Sequence, residues 1–126
     1  MDENELSNIV IGLAIEVHKT LGGPGLLESV YEEALVWELR KLNFKVERQK
    51  DIAIKYKDIT IGNSLRLDIV VNDILIIECK AATGYNDIFE AQLLTYLKIT
   101  GLKLGLVINF GEKIVSKGIK RVVNRL

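Results

Sequence analysis

Residues 65–81 constrain the fold more than any other part of the chain. Leu65 to Val71 and Ile74 to Ala81 are two β-rich runs around Asn72-Asp73, a hairpin signal. With Asn72-Asp73-Ile74 as a three-residue loop, Val71 faces Leu75, Ile69 faces Ile77, Leu67 faces Cys79 and Leu65 faces Ala81. That face is entirely apolar. The other face pairs Val70 with Ile76, Asp68 with Glu78 and Arg66 with Lys80. A two-residue loop sets Asp68 opposite Ile77 and mixes both faces. A one-residue slip moves every side chain to the wrong side of the sheet, so the clean partition favours the odd loop. Ile69-Val70-Val71 and Ile74-Leu75-Ile76-Ile77 are apolar on both faces, as in a buried strand. Charges at the end of such a hairpin need a reason.

The register makes Asp68 and Glu78 direct neighbours, with Cβ atoms about 5 Å apart. Two carboxylates that close repel unless something positive sits between them. A hard divalent cation such as Mg²⁺ takes carboxylate oxygens and keeps several waters, so it answers the repulsion. Lys80 lies on the same face as Glu78, with Arg66 across from it. An ammonium there can orient a metal-bound water or stabilise charge developing on a phosphate. A plainer reading keeps all four side chains as a solvated patch that neutralises itself.

The rest of the chain supplies layers for this hairpin. Leu6, Ile9, Val10, Leu13, Ala14, Val17 and Leu21 recur at helical spacing, and Ile11 and Ile15 widen the stripe. Gly22-Gly23-Pro24-Gly25 breaks that helix. Leu26 to about Leu42 reads as a second helix with Leu27, Tyr31, Ala34, Leu35 and Leu42 inward. Phe44 to Gln49 and Ile52 to Tyr56 read as separate strands, with Ile59 and Ile61 extending or following the second. Asp87 and Glu90 have capping-box spacing and start a helix running to about Thr100. Leu104 to Phe110 and Ile119 to Val123 read as two more strands. Helices and strands in this order predict a mixed sheet with helices packed against it, an α/β (α+β) fold in a single domain spanning 1–126.

Further candidates lie on the helices. Glu28 shares a row with Tyr31, Leu35 and Leu39, so it sits at the edge of the buried face; Glu38 is a rival. An acid in a first helical turn is also favourable in itself. Gln92 is bracketed by Ile88, Phe89, Tyr96 and Ile99, which calls for a hydrogen-bond partner. Gln92 and Tyr96 can project together toward the hairpin, or serve as core residues. His18 falls within the apolar arc of the first helix, as a structural histidine or as a metal ligand.

Charge and cysteine content set the broad class. Seventeen basic and 17 acidic residues leave no net charge, against a generic, strongly basic nucleic-acid binder. The charge is uneven: residues 1–39 hold eight acids against Lys19, a balance of −7, and residues 98–126 hold seven bases against Glu112, a balance of +6. One cysteine excludes an internal disulfide and a Cys-based zinc site. With an acidic start and no apolar run near ~20 residues, the expectation is a cytoplasmic protein without signal peptide or membrane span.

Asp68 followed by Glu78-Cys79-Lys80 resembles the PD-(D/E)XK nuclease signature. Gln92-Leu93-Leu94-Thr95-Tyr96 resembles the Q-x-x-x-Y element of its RecB-like branch. Gly25-Leu26-Leu27-Glu28-Ser29-Val30-Tyr31 is similar to the element that names the GxxExxY family of small prokaryotic proteins in that superfamily. Leu67 stands where the signature has proline. The resemblance implies a restriction-endonuclease-like α-β-β-β-α-β core and hydrolysis of phosphodiesters dependent on Mg²⁺ or Mn²⁺. It implies Asp68 and Glu78 as metal ligands, the Cys79 carbonyl as a third and His18 as a further one. It implies Lys80 as the catalytic lysine and Glu28 as the acid from the preceding helix. Gln92 and Tyr96 support the site or contact nucleic acid, and Arg66 joins Tyr96 as a substrate contact. Nucleic acid is the implied partner, DNA as first expectation. The alternative is a catalytically silent module of the same fold, working in an assembly. A homo-oligomer would supply surface that so short a chain lacks.

Overall fold

The computed structural model describes all residues 1–126. Two helices come first, α1 (Glu3–Thr20) and α2 (Glu28–Lys41). The strands β1 (Val46–Ile52), β2 (Lys55–Tyr56), β3 (Ile59–Thr60), β4 (Leu65–Val71) and β5 (Leu75–Lys80) follow. Helix α3 (Ile88–Thr100), strand β6 (Leu104–Asn109), a short 3-10 turn and strand β7 (Ile119–Val123) complete the chain. The main sheet runs β1-β4-β5-β6-β7, with β5 and β6 parallel and every other neighbour antiparallel. α2-β1-β4-β5-α3-β6 is the expected α-β-β-β-α-β core. Strands β2 and β3 form a separate exposed ribbon. No helix is long and apolar enough to cross a membrane.

The sheet separates two cores of unequal size. α1 and α2 cover one face over 18 buried residues, among them Leu6, Leu35, Ile69, Ile77 and Phe110. α3 covers the other through Leu93 and Leu97, in a cluster of seven. Gly105 on β6 admits that helix, because a Cβ there would stand 2.8 Å from Leu93 Cδ2.

The hairpin keeps its predicted register at the tip. Val71 pairs with Leu75, Val70 with Ile76 and Ile69 with Ile77. Asn72 and Asp73 both take left-handed φ, and the Ile74 N–H donates to the Val71 carbonyl at 3.1 Å. Below Ile69 the expectation fails. The pairs Leu67–Cys79, Asp68–Glu78 and Arg66–Lys80 do not form, and β4 stays paired only with β1. The β1–β4 ladder is itself interrupted between Arg48↔Ile69 and Lys50↔Leu67, where Gln49 has φ 53°. Side chains of a regular strand alternate between its two faces, and at this level β4 breaks that alternation. Leu65 and Leu67 therefore pack with the α3 core, while Ile69 and Val71 face α1 and α2. The single apolar face expected for β4 is divided between two cores, and Asp68 sits at the crossover.

Two other expectations are corrected. Residues 46–52 form one strand across the predicted break, and only Lys55–Tyr56 remains of the second run. Asp87 does not cap α3 through its side chain; Asn86 Oδ1 accepts the Ile88 N–H at 3.1 Å.

Candidate active site

Where the β4–β5 ladder ends, two carboxylates take over from backbone carbonyls. The Asp68 N–H donates to Glu78 Oε2 and the Cys79 N–H donates to Asp68 Oδ2, each at 2.9 Å. The exchange is reciprocal, so each strand fixes the acid of the other. Glu78 Oε1 takes part in no hydrogen bond, and Asp68 Oδ1 meets only the Gln49 amide at 3.4 Å. One oxygen of each acid is thus held by the main chain and the other is left for a ligand.

The field at this point is strongly negative. Glu78 is 6% exposed. Burial, then the Asp68 charge, push its carboxyl up to about 8, against the Asp68 N–H bond and Lys80, which lower it. Glu28, the first residue of α2, is raised by burial and then by Asp68, and lowered by Lys80. On α3, the Tyr96 hydroxyl is raised by burial and then by Glu78 and Asp68, while Gln92 beside it pulls the other way. The structure thus brings Glu28, Asp68, Glu78, Lys80, Gln92 and Tyr96 into one neighbourhood from α2, β4, β5 and α3. Lys80 makes no ion pair; its Nζ lies 4.8 Å from the Phe89 ring centroid. A lysine facing two acids without contacting either is available to a third anion.

Not every candidate joins them. No three His, Cys, Asp or Glu side chains stand close enough together to hold a metal ion. His18 is buried beside the stacked Tyr31 and Phe110 rings with Nε2 unpartnered, lining a cavity with Lys19, Lys113 and Ser116. Arg66 is exposed and bonds Asp51 at 3.2 Å, because the crossover at Asp68 turns it away from Lys80. Glu38 lines a groove between α1 and α2 with Glu16 and Trp37. The Cys79 thiol is buried in the larger core, and its burial raises it far above the usual thiol range. Its main chain faces the site: the Lys80 carbonyl accepts from Phe110 on the β6 side, so the alternating Cys79 carbonyl points toward β4.

Three residues that spacing did not single out complete the arrangement. Glu32 is 4% exposed and accepts from Gln49 Nε2 at 2.7 Å. Arg48 Nε lies 3.3 Å from the same carboxylate, but its N–H is not aimed at it, so that pair is held by charge alone. Gln49 bridges Glu32 and Asp68. Glu32 had a signal, since it follows Glu28 by one helical turn. Gln49 had none. At the far end of the site, Asn109 pairs with Lys80 and bonds both the N–H and the carbonyl of Ala82, locking the chain just after the lysine.

The donor set suits a hard divalent cation. Two oriented carboxylates with free oxygens repel each other at a largely buried point, and a carbonyl points the same way. The family described as the PD-(D/E)XK nuclease superfamily matches residues 4–122, nearly the whole chain. Comparison with curated proteins and with solved structures gives no significant match.

Proposed function

Because the chain belongs to the PD-(D/E)XK nuclease superfamily, we propose that it is a metal-dependent nuclease whose centre is Asp68, Glu78 and Lys80, in the GxxExxY family of the RecB-like branch. The observation that carries this reading is the reciprocal bonding of Asp68 and Glu78 beside an unpaired Lys80. Asp68, Glu78 and the Cys79 carbonyl would hold Mg²⁺ or Mn²⁺, with Glu28 at the edge. When bound, such an ion supplies Lewis-acid stabilisation of phosphate and a more acidic water.

The chain's own groups do the rest. Lys80 meets a non-bridging phosphate oxygen as negative charge grows on it. Glu28, held above the usual carboxylate range, exchanges a proton with water at the centre. Tyr96 stays protonated and donates to the substrate phosphate, with Gln92 orienting it. DNA is the substrate expected first.

Calorimetric titration of Mg²⁺ or Mn²⁺ is expected to give binding to wild type and none to Asp68→Ala. Lys80→Ala is expected to bind metal as wild type does and to cleave oligonucleotide roughly 100-fold or more slowly. Full cleavage by Lys80→Ala would overturn the assignment. A silent module acting in an assembly is favoured by the zero net charge of so small a chain. Oligonucleotide binding without cleavage in either metal would establish it instead.

A further inference from the structure

Far from the carboxylates, at the C-terminal end of α3, lies a cavity of about 290 Å³ lined by Lys98, Gly101, Lys103, Asn124 and Arg125. Three of its five lining residues are cations and none is an acid. None of the three enters any of the molecule's ion pairs, although the chain has as many acids as bases. The end of α3 does not account for them, since a helix C-terminus is equivalent to roughly half a negative charge.

The main chain holds the cluster together. Asn124 donates its N–H to the Lys103 carbonyl at 2.8 Å and its amide to the Leu102 carbonyl at 3.0 Å. Arg125 then takes φ 60°, a left-handed conformation that side-chain-bearing residues seldom adopt. The tail is therefore pinned across the α3–β6 turn in a way that sets Arg125 beside the two lysines.

We propose that this pocket binds a backbone phosphate of a nucleic-acid strand whose scissile bond lies at Lys80. The assignment of the strand rests on the nuclease reading; the assignment of an anion site does not. Lys103 precedes β6, and Lys80 lies level with Asn109 at the other end of that strand. The six residue steps from Lys103 to Asn109 span about 20 Å, or roughly six phosphates along one strand of a duplex at 3.4 Å each. The pocket thus anchors a substrate beyond the reach of the catalytic groups.

The test is fluorescence anisotropy in EDTA, which removes cleavage, with a labelled duplex at several salt concentrations. Lys98→Gln/Lys103→Gln/Arg125→Gln is compared with a control of equal charge change, Lys113→Gln/Lys117→Gln/Lys120→Gln. Loss of the three pocket charges is expected to weaken binding roughly 10-fold or more and to flatten the salt slope by just under 3. The control is expected to change the slope by less than about 1. Equal effects from both triples, or none from the pocket triple, would overturn the proposal. So would displacement of the duplex by about 1 mM inorganic phosphate, which assigns the pocket to the free ion. Metal-dependent hydrolysis of bis(p-nitrophenyl) phosphate, too small to span both points, is expected to be unchanged in the pocket triple. If wild type fails to hydrolyse it yet shows the pocket-dependent slope, the nuclease reading fails and the anion site stands.

Discussion

Glu78 is the carboxylate most strongly perturbed by its surroundings. Its carboxyl is buried beside Asp68 and raised from 4.5 to about 8 in the folded chain. Between those values the folded state keeps a proton that the unfolded chain has released. The stability this gives is full below about pH 4.5 and is lost as pH rises through 8. In EDTA, Glu78→Gln keeps an acceptor for the Asp68 N–H without the charge. Its melting temperature is expected to exceed that of wild type by about 5 °C or more at pH 8.5 and to match it near pH 5. Added Mg²⁺ should raise wild type at pH 8.5 and leave the variant unmoved. Parallel melting curves across pH would refute the shared-charge account. Strand alternation put Asp68, Glu78 and Lys80 together as candidates; Asp68 and Glu78 do meet, but through reciprocal main-chain bonds rather than as the expected cross-strand pair. Arg66 was misplaced by the same rule, since β4 changes face at Asp68, level with left-handed Gln49 in β1, and such a break has no signature in spacing.

Among the elements, α2 begins without a side-chain cap on its first turn. Tyr31, one turn in and fully buried, instead holds the chain that leads into the helix. Its hydroxyl donates to the Gly23 carbonyl at 2.7 Å and accepts the Leu26 N–H at 3.1 Å, stapling the glycine turn to the helix that presents Glu28. This gives Tyr31 of the Gly25–Tyr31 segment a structural reason. Tyr31→Phe leaves both main-chain groups unpaired and is expected to cost about 1–3 kcal/mol. Chemical denaturation measures the loss, and a change below about 0.5 kcal/mol would remove the staple from the account. Apolar periodicity revealed the helices, the hairpin and the last strand. It missed the continuity of β1, because the polar Lys50 and Asp51 fall between the two apolar runs. They are polar because β1 is a sheet edge, where charge discourages pairing with another chain. There Asp51 bonds Arg66 and Lys50 bonds Glu47.

For the molecule as a whole, the decisive property is the inequality of its two layers. Eighteen buried residues tie α1 and α2 to the sheet, and seven form the core under α3. Free energy of burial scales with apolar area removed from water, so α3 is the more weakly held layer. The same helix carries Gln92 and Tyr96 on the side of the carboxylates and ends at the cationic pocket. A strand running between the two points therefore contacts the more weakly held of the two helical layers. Local opening follows the number of apolar contacts that must be broken. Native-state hydrogen exchange is expected to show α3 amides opening roughly 10-fold or more often than those of β5 and β6, which are paired on both sides in the sheet centre. Gly105→Ala sharpens the test, since its methyl meets Leu93 while leaving the α1–α2 layer untouched. It should speed exchange in α3 and leave α1 unchanged. Equal protection across α3, β5 and β6 in wild type would mean that the thin layer opens only when the whole molecule does. A substrate strand would then be admitted past a closed helix, and the flexibility needed for binding would have to come from the exposed β2–β3 ribbon instead.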